Sequence, residues 1–281
     1  MGILFLCTGN TCRSPMAAGL FALRHAELAA SSAGLAALPG SPAEPNAVAA
    51  AAELGADLTA HRARQATPEL LVQADAVVCL GASHARRVAP LVPREKLRVL
   101  AGGIADPYGG GLEIYRACAR QIDEALPSLL PDFLCQAEII PAQPSHLPAL
   151  AELERQCFSP PASEARLREK LALDHNHTLV AMYGGALAGF LGVDEIAGEA
   201  FVDDLAVFPQ YRRRGVASAL LARAETEAIL RGCEKIHLEC RAGNAAALAL
   251  YAARGYQRVG LRKSFYEHPK EDAILLTMEI L

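Results

Sequence analysis

Leu6-Cys7-Thr8-Gly9-Asn10-Thr11-Cys12-Arg13-Ser14-Pro15 stands between an apolar run of strand length, Gly2 to Leu6, and a segment with helical apolar spacing, Met16 to Leu28. Ser14 and Pro15 open that helix, so the loop runs from a strand end into a helix start. Successive backbone N–H groups of such a turn, aided by the helix dipole, form a cradle for an anion such as a phosphate. Gly9 and Asn10 are residue types that accept the left-handed backbone the turn requires. Cys7 enters the loop where these N–H groups and Arg13 favour its thiolate, which predicts a nucleophile in the floor of the cradle. Arg13 is placed to hold two phosphoryl oxygens in a bidentate fork, and Ser14 to offer its hydroxyl to the sulfur.

The chain has 281 residues, 52% of them apolar, which suits about two folded domains. Lys plus Arg stands against Asp plus Glu as 11 to 12 in residues 1–135 and 16 to 19 in residues 136–281. Neither half has the positive excess of a nucleic-acid binder, so function is expected to reside in sites. No apolar run approaches membrane-spanning length. Eight cysteines without zinc-type spacing, and no signal peptide, predict a reducing, cytoplasmic setting and no metal. Cys79, Cys118, Cys135, Cys157, Cys233 and Cys240 lie in apolar runs and read as small core residues. Cys12 is either another of these or, close to Cys7, a partner for a protective disulfide during oxidation.

Beyond the first helix come a short strand near Ala30–Ala33, an Ala-rich helix from Glu44 to Leu54, and strands at Ala76–Leu80 and Leu97–Leu100. Strands alternating with helices predict a doubly wound parallel sheet, whose ligands bind beyond the carboxyl ends of the strands, where Cys7 lies. Asp106-Pro107-Tyr108-Gly109-Gly110-Gly111 then forms a loop before a helix starting near Leu112. A carboxylic acid held over the cradle protonates a leaving group and later deprotonates a water.

Cys7 to Pro15, together with Ser32-Ala33-Gly34, His61 to Gln65 and Asp106-Pro107-Tyr108, resembles the low-molecular-weight protein tyrosine phosphatase family. The resemblance implies Cys7 as nucleophile, Arg13 as phosphate clamp and Asp106 as general acid. Thr8, Gly9, Asn10, Thr11, Cys12, Ser14 and Tyr108 then line the substrate. Thr11 stands where tyrosine-directed members commonly carry an apolar residue and where bacterial protein-arginine phosphatases carry threonine. A hydroxyl suits a polar guanidinium better than an aromatic ring, which favours phosphoarginine, with phosphotyrosine as the alternative. Arsenate reductases share the loop but need further redox cysteines after the middle strand, where this chain has Cys79 alone. His61 and His84 read as surface or packing residues.

Helical pattern fades at Leu130-Pro131-Asp132 and a new strand opens at Gln136 to Ile140, so the expected domains are residues 1–134 and 137–281. In the second, Val202-Asp-Asp-Leu-Ala-Val-Phe-Pro-Gln-Tyr-Arg-Arg-Arg-Gly-Val-Ala217 again leads a strand through a loop into a helix, Ser218 to Leu230. Gly215 and Ala217 allow N–H groups to approach a pyrophosphate, assisted by Arg212, Arg213 and Arg214. This stretch, with Leu238 to Tyr256 and Glu271 to Ile274, resembles the GCN5-related N-acetyltransferases, a mixed-sheet α/β fold. The similarity is to the branch that acetylates the N-terminal alanine of a small-subunit ribosomal protein. The resemblance implies acetyl-coenzyme A as donor, held by the backbone of Leu205 and Val207, by the Arg212–Ala217 loop and by Asn244. It implies Glu239 as proton relay and Tyr251 as the phenol that reprotonates the coenzyme thiolate. Cys157-Phe-Ser-Pro-Pro-Ala-Ser163 and Ser264-Phe-Tyr-Glu-His268 depart from the branch on the acceptor side, leaving lysine side chains or small amines as alternative acceptors. Glu199, Asp203 and Asp204 near the groove would suit a basic N-terminal peptide. The combined expectation is a bifunctional enzyme acting on phosphorylated proteins and on a ribosomal-protein N-terminus. The rival is that one half is a non-catalytic binding module.

Overall fold

Gly2–Cys7 forms β1, in which Ile3, Leu4, Phe5 and Leu6 are each at most 2% exposed. A run that is apolar without alternation is buried on both faces, as a central parallel strand requires. The computed structural model describes Gly2–Leu281. It divides into two compact units, residues up to Leu129 with Ile280–Leu281, and Leu130–Glu279.

The first unit continues with α1 (Arg13–Arg24), β2 (Ala29–Gly34), α2 (Pro45–Glu53), α3 (Pro68–Gln73), β3 (Ala76–Cys79), α4 (Ala82–Val88), β4 (Leu97–Val99) and α5 (Leu112–Ala125). Its sheet has the order β2-β1-β3-β4, all parallel. The helix α1 opens on Arg13, Ser14 and Pro15, as expected, with Pro15 in the first turn, where a missing N–H costs nothing. It ends earlier than the spacing to Leu28 indicates, at Arg24: His25 leaves helical geometry and its ring packs on Phe21 at 4.7 Å between centroids. Leu281 belongs to this unit, donating its N–H to the Gly102 carbonyl and accepting from the Ala82 N–H. Gly103, at φ +128°, leaves the room: a Cβ there would lie 2.5 Å from the Leu281 oxygen.

The segment expected to lose helical character at Leu130-Pro131-Asp132 is a short helix, α6 (Leu129–Leu134). Pro131 falls in its first turn, where no N–H is needed. The second unit continues with β5 (Glu138–Pro141), α7 (Leu147–Cys157), α8 (Glu164–Leu171), β6 (Leu179–Tyr183), β7 (Ala186–Ile196), β8 (Glu199–Val207), α9 (Val216–Arg231), β9 (Lys235–Arg241), α10 (Ala245–Ala253), β10 (Gln257–Glu267) and β11 (Lys270–Glu279). The seven strands run β10-β11-β9-β8-β7-β6-β5, antiparallel throughout except for the parallel pair β8/β9. The expected mixed sheet is therefore present. No helix among the described residues is long and apolar enough to cross a membrane.

The units divide ahead of the expected boundary because Asp132 is buried in the second one. Arg254 Nη1 donates to both Asp132 oxygens at 3.0 and 3.1 Å, Arg254 Nε and Nη2 reach Glu225 at 2.9 and 2.6 Å, and Ser218 Oγ donates to Asp132 at 2.6 Å. One guanidinium thus satisfies two carboxylates that are both out of water. Arg254→Met leaves both without a cation, and urea unfolding of the second unit is expected to show a loss of about 3–5 kcal/mol. A loss below about 1 kcal/mol would mean that water reaches the carboxylates.

Candidate active sites

The first site forms where β1 ends. The Cys7 sulfur lies 3.0 Å from Ser14 Oγ and accepts the Asn10 backbone N–H at 3.3 Å. Of the two residues expected to turn the loop left-handed, Asn10 alone does so, at φ 57°. Its amide ties the loop down, with Nδ2 donating to Ser14 Oγ and Ser32 Oγ at 2.9 Å each and Oδ1 accepting the Arg64 N–H at 2.9 Å. Gly34 on β2 is a glycine for steric reasons, since a Cβ would stand 2.6 Å from the Thr8 oxygen and 2.8 Å from the Asn10 nitrogen.

Arg13 is 7% exposed; its Nη1 donates to the Ile104 carbonyl at 3.1 Å and its Nη2 to Asp106 Oδ2 at 2.5 Å. The clamp and the acid are thus held together at the mouth, with the Asp106 side chain 48% exposed. A cleft of about 320 Å³ is lined by Cys7, Thr11, Arg13, Asp106 and Tyr108, among others. Its floor carries a nucleophile-type sulfur and a guanidinium, its rim a carboxyl group, which is the inventory for moving a phosphoryl group.

Three contacts here were not legible from local sequence. Thr8 Oγ1 lies 3.0 Å from His84 Nε2, and the Asn10 oxygen 2.7 Å from His61 Nε2. Both histidines therefore pack on the loop itself. Burial, with Arg13 nearby, pushes His84 down to about 4, so it is neutral near pH 7. Cys12 sits 3.4 Å from the Tyr115 hydroxyl, and burial raises its thiol.

The second site forms where β8 parts from β9. The two strands pair from Glu199↔Lys235 to Val202↔Leu238, while β8 stays paired with β7 to Val207. Leu205 to Val207 are thus left with an unpaired edge towards β9, and an open edge offers backbone groups to an extended ligand. Beyond it, Gly215 adopts φ 78° and starts α9 without a side-chain cap among the described residues. Gly215 also has the Pro131 carbonyl against it, where a Cβ would fall.

The arginine triplet is dispersed rather than gathered on this turn. Arg212 Nε donates to the Val207 oxygen at 3.0 Å, and Arg214 lies over the Tyr183 and Tyr211 rings at 5.5 and 6.0 Å. Arg213 carries a left-handed backbone, φ 61°. Anion binding at the turn therefore falls chiefly to backbone N–H groups of Gly215 to Ala217. Asn244 caps its own helix, accepting the Ala247 N–H at 3.1 Å, which leaves its amide nitrogen for a ligand. The open edge and uncapped turn fit the pantetheine and pyrophosphate of a coenzyme A thioester.

Glu239 on β9 faces a groove of about 990 Å³ and pairs with Arg262 Nη2 at 3.0 Å. That arginine, which lies over the Phe265 ring at 5.0 Å, is a partner the motif reading did not supply. Tyr251 is 6% exposed on α10, its ring edge-on to Tyr256 at 5.8 Å, and burial raises its phenol. The phenol therefore keeps its proton near neutral pH.

Residues 2–139 match the model of the low molecular weight phosphotyrosine protein phosphatase family, and residues 147–256 that of the acetyltransferase (GNAT) family. Over 142 residues, 46% of this chain and 94% of the relative, the chain is 35% identical to a protein-arginine-phosphatase of Bacillus subtilis. Over 129 residues, 44% of this chain and 80% of the relative, it is 40% identical to the N-alpha-acetyltransferase RimI of Mycobacterium tuberculosis. Over 136 residues, 48% and 91%, it is 32% identical to the [ribosomal protein bS18]-alanine N-acetyltransferase of Escherichia coli.

Asn10→Ala removes the buried amide bonds and makes the left-handed backbone costly, whereas Asn10→Gly removes the bonds alone. Inhibition by inorganic phosphate is expected to weaken by roughly 10-fold or more in Asn10→Gly and further in Asn10→Ala. Equal inhibition of the wild type and both variants would show that the cradle does not depend on this residue.

Proposed function

We propose, for a chain that belongs to the low molecular weight phosphotyrosine protein phosphatase family in its first half and to the acetyltransferase (GNAT) family in its second, a bifunctional enzyme. The first half removes phosphate from protein phosphoarginine, and the second acetylates the N-terminal alanine of a ribosomal protein. The observation that carries the first activity is the Cys7 sulfur, bonded by Ser14 and the Asn10 N–H, in one cleft with Arg13 and Asp106.

In the first step Cys7 attacks phosphorus, the P–S bond forms as the P–N bond to the guanidino group breaks, and Asp106 protonates the departing nitrogen. Arg13 and the loop N–H groups hold the equatorial oxygens as their charge shifts. In the second step water attacks the phosphocysteine, Asp106 takes its proton, and the Cys7 thiolate leaves with Ser14 Oγ beside it. Thr11 lines the cleft, where its hydroxyl can accept a guanidino N–H. The name of the Bacillus relative supports phosphoarginine, and the family description supports phosphotyrosine as the second reading.

In the second half the parting of β8 from β9 carries the reading. Acetyl-coenzyme A supplies an activated thioester. Leu205 and Val207 orient its arm, the turn from Arg212 to Ala217 holds its phosphates, Glu239 removes the proton of the attacking ammonium group, and Tyr251 returns one to sulfur. The Escherichia relative's name supports alanine as the acceptor.

Phosphate release from matched phosphoarginine and phosphotyrosine peptides tests the first half. The wild type is expected to prefer phosphoarginine, Thr11→Ile to lose roughly 10- to 100-fold of that preference, Asp106→Asn to slow about 10²–10⁴-fold, and Cys7→Ser to be inactive. A wild-type preference for phosphotyrosine would sink the Thr11 argument. For the second half, Glu239→Gln is expected to slow acetylation of an N-terminal-alanine peptide about 10²–10⁴-fold with coenzyme binding retained. Unchanged turnover would remove Glu239 from the mechanism.

A further inference from the structure

In a regular strand, neighbouring side chains point to opposite faces, so Asp203 and Asp204 should not meet one partner. They do, because β8 carries a bulge at Asp203: Gly192 pairs with Asp204 and Val193 with Val202, leaving Asp203 as the extra residue. Both carboxylates reach the single ammonium of Lys170, at 2.7 and 3.2 Å. Asp194 lines the same groove, its Oδ1 accepting the Asn176 amide at 2.8 Å.

Glu154 adds a fourth carboxyl group to the same groove. It is 2% exposed; Oε2 accepts the Ala162 N–H at 3.0 Å, and Oε1 has no hydrogen-bond partner among the described residues. Neither Asp194 nor Glu154 is in an ion pair among the described residues. Two of the four acidic groups share one lysine, and the groove's other cations are Arg166 and Arg262, the latter paired with Glu239. The unpartnered oxygen of Glu154 is closed to water, where an unmet acceptor is costly, and a cationic donor brought by a ligand removes that cost and meets Asp203 and Asp204 at the more open side of the groove.

The acetyl-transfer reading says which cation. Glu239, the proton relay of that reading, lines the same groove. Val202 and Leu238 are the last paired residues of β8 and β9, and Asp203 and Glu239 follow them directly, so the carboxylates and the relay line the same part of the groove. An extended peptide advances about 3.4 Å per residue. With its terminal amine at Glu239, its second or third side chain comes level with the carboxylates.

Resting on that reading, we propose that Asp203, Asp204, Asp194 and Glu154 form a subsite for a basic side chain, arginine or lysine, close behind the acceptor's terminal residue. The acetyl acceptor is accordingly a peptide with a basic N-terminal segment, rather than a small amine.

The test uses the full chain and matched N-terminal-alanine peptides with arginine or glutamine at the second and third positions. The wild type is expected to acetylate the arginine peptide with a kcat/KM roughly 10- to 100-fold higher, mostly through KM. In the Asp203→Asn/Asp204→Asn double variant, isosteric and able to accept from Lys170, that preference is expected to fall to about twofold or less. Coenzyme A binding, followed calorimetrically, reports that the variant is folded. Equal wild-type rates on both peptides overturn the subsite, as does a preference that survives in the folded double variant. Failure of the wild type to acetylate either peptide, with small amines accepted, overturns the acceptor reading on which the subsite rests.

Discussion

The first N–H groups of a helix that follows a strand have no partner inside the helix, and both halves of this chain are arranged around that deficit. In the first, β1 ends at Cys7 and α1 begins at Arg13; in the second, β8 ends at Val207 and α9 begins at Val216. Both helices start without a side-chain cap among the described residues. Donors left in this way attract an anion, and the strand end before them brings a reactive group or an open edge to the same place. The solutions differ in how the turn is held. Asn10 fastens the first with its side-chain amide, whereas Gly215 makes the second by its backbone alone.

Paired charges divide by exposure, and so do their effects. Arg254 with Asp132 and Glu225 is closed to water, each side chain at most 7% exposed, so the attraction is strong and breaking it leaves a stranded charge. Arg262 with Glu239 is 53% and 30% exposed, where water competes with the pair and the contact exchanges at little cost. The first ties residues before β5 to the fold of the second unit. The second suits a carboxylate that must release its partner to meet an incoming ammonium group. Arg13 with Asp106 lies between: a buried guanidinium meets a half-exposed carboxyl group, so the clamp stays in place while the acid retains access to the cleft.

Strand and helix types were legible because their signals are local. The apolar run before Cys7, the Asp-Pro turn at Asp106 and the glycine at 215 each act on their own neighbourhood. The ends of elements were less so. Helical apolar spacing runs from Met16 to Leu28, but α1 stops at Arg24, where the His25 ring packs on Phe21. The fading of helix at Pro131 is misleading because a proline in a first turn breaks nothing. Asp132 looked like part of a joint because a lone acidic residue near a proline carries no sign that an arginine more than a hundred positions later will bury it.

Legible before folding were the two strand-loop-helix motifs, the chemistry of Cys7, Arg13 and Asp106 as residue types, and the alternation that makes the first sheet parallel, whereas the mixed sheet rested on the resemblance to the acetyltransferases. The first three follow from periodicity and spacing, which a chain carries before it folds. Tertiary structure alone decided that Thr8 meets His84, that Glu239 meets Arg262, and that Asp203 and Asp204 share Lys170. Each depends on groups far apart in sequence, and the last on a bulge that turns two successive residues to one face, which period-two spacing excludes.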